Sequence, residues 1–151
     1  MVIARAIGNR RIEGYALVNL GDDHHSLREY HNAIAFYKQQ LVIVREIGDW
    51  HGEGNALGNL DLAYFSLGDA HRAIAYYEQL VAVKQSIGDA AGVARTSWNL
   101  GLLYAAQGDL ARGVDLMQVW VDFAQQIRHA DAEKDAARLD EIRQKLANQT
   151  G

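Results

Sequence analysis

The chain of 151 residues has no cysteine and no proline. The first absence excludes disulfides and thiolate metal sites. The second lets long helices run unbroken, since a proline inside a helix costs about 3 kcal/mol. No apolar run approaches the roughly 18–20 residues that a membrane span needs. The opening Met1-Val2-Ile3-Ala4-Arg5 lacks the layout of a signal peptide. Basic residues are scattered: 15 Lys and Arg stand against 19 Asp and Glu, for a net charge of −4. With neither a basic stripe nor a basic tail, neither nucleic acid nor an anionic membrane is expected as a partner. Hydrophobic residues make up 49%, enough for a folded soluble protein. A reducing, cytoplasmic setting is the default expectation.

Catalytic and metal-binding patterns are also missing. His24 and His25 are adjacent, so on a helix they point about 100° apart and cannot grip one ion together. His31 and His71 share a place in the repeat described below, which marks them as surface features, and no His-Glu-x-x-His spacing occurs. Asp22-Asp23 and Asp131, Glu133 and Asp135 fit solvated or capping carboxylates better than an acid–base pair. Gly52-Glu53-Gly54 is no phosphate loop, because no Lys-Ser/Thr follows and no strand precedes it. No Ser, His and Asp set has a strand-turn-helix context. The expectation is a protein that is not an enzyme and carries no cofactor or metal.

What the chain does contain is a repeat of forty residues. Ile7-Gly8-Asn9 returns as Ile47-Gly48-Asp49 and as Ile87-Gly88-Asp89. Ala16-Leu17-Val18-Asn19-Leu20 returns as Ala56-Leu57-Gly58-Asn59-Leu60, and its last part as Ser97-Trp98-Asn99-Leu100. Ala33-Ile34-Ala35-Phe36-Tyr37 returns as Ala73-Ile74-Ala75-Tyr76-Tyr77. A unit of this length cannot bury its apolar face alone, so copies must stack. Within each unit the spacing predicts two helices: Leu57, Leu60, Tyr64 and Leu67 fall on one face of the first, and Ala73, Ile74, Tyr77, Leu80 and Val81 on one face of the second. Gly68-Asp69 between them supplies a left-handed terminus and a cap. In the first unit, Arg28-Glu29 stands in that place and His24 replaces Tyr64 and Tyr104.

These units resemble tetratricopeptide repeats over essentially the whole chain. Asn55-Ala56-Leu57-Gly58-Asn59-Leu60-Asp61-Leu62-Ala63-Tyr64, then Gly68-Asp69, Ala73, Tyr77 and Leu80, carry the family's pattern of small and large residues. Leu100-Gly101-Leu102-Leu103-Tyr104 with Gly108-Asp109 does the same. The forty-residue period looks like the long-helix subgroup of kinesin light chains, Pins/LGN adaptors and bacterial signalling arrays. The resemblance implies an all-α right-handed superhelical solenoid of antiparallel helix pairs, with about seven helices and an N-terminal partial helix. Residues 1–8 would close a preceding repeat, 9–48, 49–88 and 89–128 would be three repeats, and 129–151 a polar capping helix. On this expectation the chain is a fragment of a larger scaffold or sensor, or its N-terminal stub pairs with another chain. Two departures stand out: Asp61 replaces the Gly21 and Gly101 of the tight crossing, and Gly113 replaces Ala33 and Ala73 opposite it, a mildly helix-weakening change.

The resemblance also implies a site. First helices of successive repeats line a concave groove that holds an extended peptide or a helix. Asn19, Asn59 and Asn99 share one place in it, each before a leucine expected to be buried: Leu20, Leu60 and Leu100. A carboxamide both donates and accepts, so it can pair with a peptide backbone. It can equally bond to a neighbouring helix and set the stacking register. Tyr15, Asn55 and Arg95 lie one turn earlier, Trp98 alongside, and Leu62, Leu102 and Phe65 beyond. Arg95 suits a ligand carboxylate, Trp98 suits a hydrophobic anchor or core filler, and Leu62 and Phe65 suggest an apolar groove. The expected function is peptide or protein binding in this groove. The alternative is a structural array that binds no external peptide and self-associates through its terminal helices.

Overall fold

The Gly-Asp pairs that punctuate the sequence are helix ends. Gly48, Gly68, Gly88 and Gly108 take positive φ of 69°, 89°, 72° and 91°, a left-handed conformation that glycine adopts without the steric cost of a Cβ. The aspartate after each accepts a hydrogen bond from the backbone N–H three residues on. Asp49 takes it from Gly52 at 2.9 Å, Asp69 from Arg72 at 3.1 Å, Asp89 from Gly92 at 2.8 Å and Asp109 from Arg112 at 3.1 Å. Each bond satisfies one of the orphan donors of a helix start.

The computed structural model describes the backbone of residues 2–151 and the side chains of residues 6–151. Among the described residues there are seven helices and no strand: α1 (Val2–Ser26), α2 (Tyr30–Glu46), α3 (Trp50–Leu67), α4 (Ala70–Ser86), α5 (Ala90–Ala106), α6 (Leu110–Gln126) and α7 (Ala132–Thr150). None is long and apolar enough to cross a membrane. Two of the connecting turns use arginine where the others use glycine. Arg28 and Arg128 hold φ of 62° and 55°, so the same turn is made at a steric cost of about 1–2 kcal/mol.

One junction expected from the repeat does not form. Of the segment expected as a separate partial helix, residues 2–8 are part of α1, which runs through Ile7-Gly8-Asn9 without a break. The side chains of residues 1–5 in that stretch lie outside the described residues. A Cβ at Gly52 or Gly92 would fall 2.6 or 2.2 Å from Oδ2 of Asp49 or Asp89, the carboxylate oxygen beside the Oδ1 that accepts the cap bond. Ile12 occupies the matching place after Asn9, and Gly8 is not left-handed.

The helices group into two compact units, Met1–Val83 and Lys84–Gly151. The first unit has its core between α2 and α3, where Ala33, Tyr37, Leu41 and Val44 meet Ala56, Leu57, Leu60 and Tyr64, with Ala73 of α4. Gly21 of α1 lets the Tyr37 ring approach so closely that a Cβ would lie 2.5 Å from Cε1. Tyr37 Oη donates to Asp22 Oδ1 at 2.7 Å, and burial, helped by that carboxylate, pushes the phenol well above its ordinary pKa. His24 stacks on Phe36 at 5.2 Å much as Tyr64 stacks on Tyr76 at 5.5 Å, so the ring contact survives the change of residue.

Leu20 corrects the expectation that all three leucines after the asparagines are buried. Leu60 and Leu100 are, but Leu20 is 43% exposed. The face of α3 that carries Leu60 packs against α2; no helix among the described residues plays that part for α1. Asp61, at the place of Gly21, is 8% exposed and its Oδ1 has no hydrogen-bond partner. Burial pushes its carboxyl from 3.8 up to about 7, because the charged form loses its hydration.

In the second unit α5 and α6 cross closer still. A Cβ at Gly101 would sit 2.8 Å from the Gly113 carbonyl oxygen, and one at Gly113 would sit 2.9 Å from the Gly101 carbonyl oxygen. Gly113 is therefore more than a weak helix residue: it and Gly101 together allow backbone contact. α7 docks through buried Ala132, Leu139 and Ile142 onto Met117, Trp120, Val121 and Ala124 of α6, and Trp120 Nε1 donates to Asp135 Oδ2 at 2.7 Å.

Candidate functional site

The helical period puts Tyr15 and Asn19 one turn apart on α1, and Asn55, Asn59 and Leu62 at the same spacing on α3. The structure brings the two helices' residues together: Tyr15 and Asn55 line one cavity of about 230 Å³ in the first unit. Asn19 is exposed and Asn59 half-buried. Among the described residues neither carboxamide makes a hydrogen bond within the chain, so donor and acceptor of each are available. Further along α3, Leu62 and Phe65 are 51% and 55% exposed, which is unusual for large apolar side chains beside accessible polar ones.

Among the described residues, the arginines at the near edge of this face are paired. Arg11 pairs with Asp49 at 3.0 Å, Arg45 with Glu53 at 3.0 Å, and Arg10 with Glu13 at 2.7 Å and with Glu46. Such exposed pairs add little stability, but they cancel the cations that would otherwise attract an anionic ligand. No lysine lines the cavity.

In the second unit Asn99 and Arg95 are exposed. Arg95 contributes, after the Gly92 N–H and Lys84, to holding the Asp89 carboxyl below its ordinary range. Its field is therefore partly spent on the helix cap. Trp98 and Leu102 are both half-buried and pack against the core of α5, α6 and α7, which for Trp98 is the core-filling alternative of the two the sequence left open. The matching residues are Val18 and Gly58 for Trp98, and Asp22 and Leu62 for Leu102. The indole is large enough to reach apolar surface that a valine or glycine leaves alone.

One residue escaped the sequence analysis. Gln40 of α2 lines the same cavity as Tyr15 and Asn55, is 4% exposed, and its Oε1 has no partner. The signal was present in the repeat, where Leu80 and Trp120 stand at the matching place, so a buried amide there breaks an apolar series.

The tetratricopeptide repeat family model matches residues 13–86. Those residues are tetratricopeptide repeats. Solved structures with the same fold extend the likeness beyond them. The chain is similar to the TPR domain of Arabidopsis FLU, at 17% identity and a TM-score of 0.68, over 78% of this chain and 98% of that one. It is also similar to the apo form of RapI, at 11% identity and a TM-score of 0.75 over 90% of this chain. The third is BtubC from P. vanneervenii, at 20% identity and a TM-score of 0.67 over 89% of this chain. The chain spans 50% of the RapI chain and 64% of the BtubC chain. No curated protein sequence matches it. At these identities the structures establish the tetratricopeptide architecture alone. That architecture is a protein-interaction module, and what it binds is set by the residues grafted on it.

Proposed function

We propose that the face of α1 and α3 carrying Tyr15, Asn19, Asn55, Asn59, Leu62 and Phe65 holds an extended peptide, and that the chain acts by binding rather than by catalysis. The observation that carries this is the pair of unbonded carboxamides, Asn19 and Asn59, beside exposed Leu62 and Phe65. An asparagine whose work is to hold neighbouring helices in register is bonded across to one of them; these are not. An extended peptide offers N–H and C=O groups that the carboxamides match, and apolar side chains that cover the leucine and phenylalanine. Asn99 and Arg95 present the same kinds of group in the second unit.

The test replaces Asn19, Asn59 and Asn99 together by alanine and screens both proteins against one immobilised peptide library. Loss of capture with an unchanged helical circular dichroism spectrum is expected. A variant that unfolds, or one that captures the same peptides, refutes the role. The second reading, self-association, has its own observation in exposed Ile12 and Leu20 along α1 and Leu27 in the turn after it. Light scattering across a dilution series decides it: a mass that stays monomeric at high concentration removes it.

A further inference from the structure

We propose that the cavity between α1, α2 and the first turns of α3 is a side-chain pocket for a neutral aromatic group bearing an N–H donor, an indole, supplied by a bound peptide. The proposal rests on the peptide-binding face above, since Tyr15 and Asn55 belong to both. Gln40 carries it. Its carboxamide is almost fully buried, lines the cavity, and leaves Oε1 without a donor. The fold does not need an amide there, because Leu80 and Trp120 fill the matching place in the other repeats. A buried acceptor kept unpaired is costly, and a ligand N–H is what would satisfy it.

The remaining walls set the rest of the chemistry. Val18, Ile43, Val44 and Ile47 are apolar. The charges that reach the cavity, Arg11 and Asp49, neutralise each other at 3.0 Å, so a charged occupant finds no partner. Gly14 opens the space from the α1 side, where the third repeat has Ala94. About 230 Å³ falls below the roughly 300–1,000 Å³ of pockets that enclose drug-sized ligands. The volume suits one ring system, not a whole cofactor.

Nuclear magnetic resonance on the ¹⁵N-labelled chain tests this with three probes: N-acetyl-tryptophanamide, its 1-methylindole analogue and N-acetyl-phenylalaninamide. The first should shift the Gln40 side-chain amide and the backbone signals of Gly14 and Gly52. The two probes without the donor should bind about three- to tenfold more weakly. Gln40→Leu should keep the helical spectrum and abolish the response. Gly14→Ala, whose Cβ would make an ordinary 3.6 Å contact with Ile43 Cγ2, should fold and weaken it. Equal binding of the three probes, undiminished binding to Gln40→Leu, or no shift at Gln40 (an amide served only by ordered water) overturns the pocket. Peptide capture that persists while no probe binds removes the pocket and leaves the peptide-binding face. Probe binding that persists when the triple asparagine variant still captures peptides supports the pocket and removes the asparagine role.

Discussion

Replacing Asp61 by alanine should make the protein more stable at pH 8 and leave it little changed at pH 5. The carboxyl is buried at a helix crossing, Oδ1 is unpartnered, and its pKa is raised from 3.8 to about 7. An acid with a raised pKa binds its proton more tightly in the folded state. Between about pH 4 and pH 7 the folded chain therefore holds more protons than the unfolded one, and stability falls as pH rises through that window. Below it the stability from this group is fully present; above it the loss is complete. The shift of about 3 units corresponds to a ceiling of about 4 kcal/mol, and from pH 5 to pH 8 to about 3 kcal/mol. For a chain of this length that is about 5–10 °C in melting temperature. Thermal melts followed by circular dichroism at both pH values, on the wild type and Asp61→Ala, isolate the effect, because the other titrating groups are common to both. Asp61→Gly should also raise the melting temperature at pH 8, by less, since glycine weakens a helix interior by about 0.5–1 kcal/mol relative to alanine. The reasoning fails if the wild type and the alanine variant lose stability equally between pH 5 and pH 8, or if the substitution destabilises at pH 8.

Arg28→Gly should stabilise by about 1 kcal/mol, since φ of 62° is strained for arginine and free for glycine; urea titration that shows no rise in midpoint refutes it. Gly101→Ala should destabilise by about 1–3 kcal/mol or more, because its Cβ meets backbone at 2.8 Å. Gly14→Ala, with ordinary contact only, should be neutral or slightly stabilising in the same titration. Trp120→Phe should cost about 2 kcal/mol by removing the 2.7 Å bond to the Asp135 carboxylate, and hydrogen exchange should then quicken in α7 first.

The sequence made most of the fold legible because glycine and aspartate act locally. A left-handed glycine followed by a capping aspartate ends one helix and starts the next whatever surrounds it, and four such pairs fall where the repeat put them. Arg28 was legible as a turn position only through the repeat, where Arg28-Glu29 stands for Gly68-Asp69; the left-handed backbone of Arg28 and Arg128 was not, since an arginine in such a turn looks like any surface arginine. Ile7-Gly8-Asn9 misled for the opposite reason: the letters repeat, but Gly8 does not take the left-handed conformation that ends the other helices, and α1 runs on through it. At the site, the places of Asn19, Asn59 and Leu62 follow from period alone. Trp98 and Leu102 do not, because equal place in a repeat does not mean equal environment when a larger side chain reaches the core.

Two departures from the repeat are buried polar groups, and they differ in what the matching residues say. At Asp61 the neighbours are Gly21 and Gly101, so the place demands something small, and the carboxylate is tolerated at a cost that a proton relieves. At Gln40 the neighbours are Leu80 and Trp120, so the place accepts a large apolar side chain, and the amide sits beside empty volume. Removing either polar group should stabilise the chain, through lost desolvation at Asp61 and through filled space at Gln40. Only the second removal should cost binding. A group that destabilises the fold and also borders a cavity is placed for a ligand, whereas a group that merely destabilises is tolerated, and the paired variants separate the two on one protein.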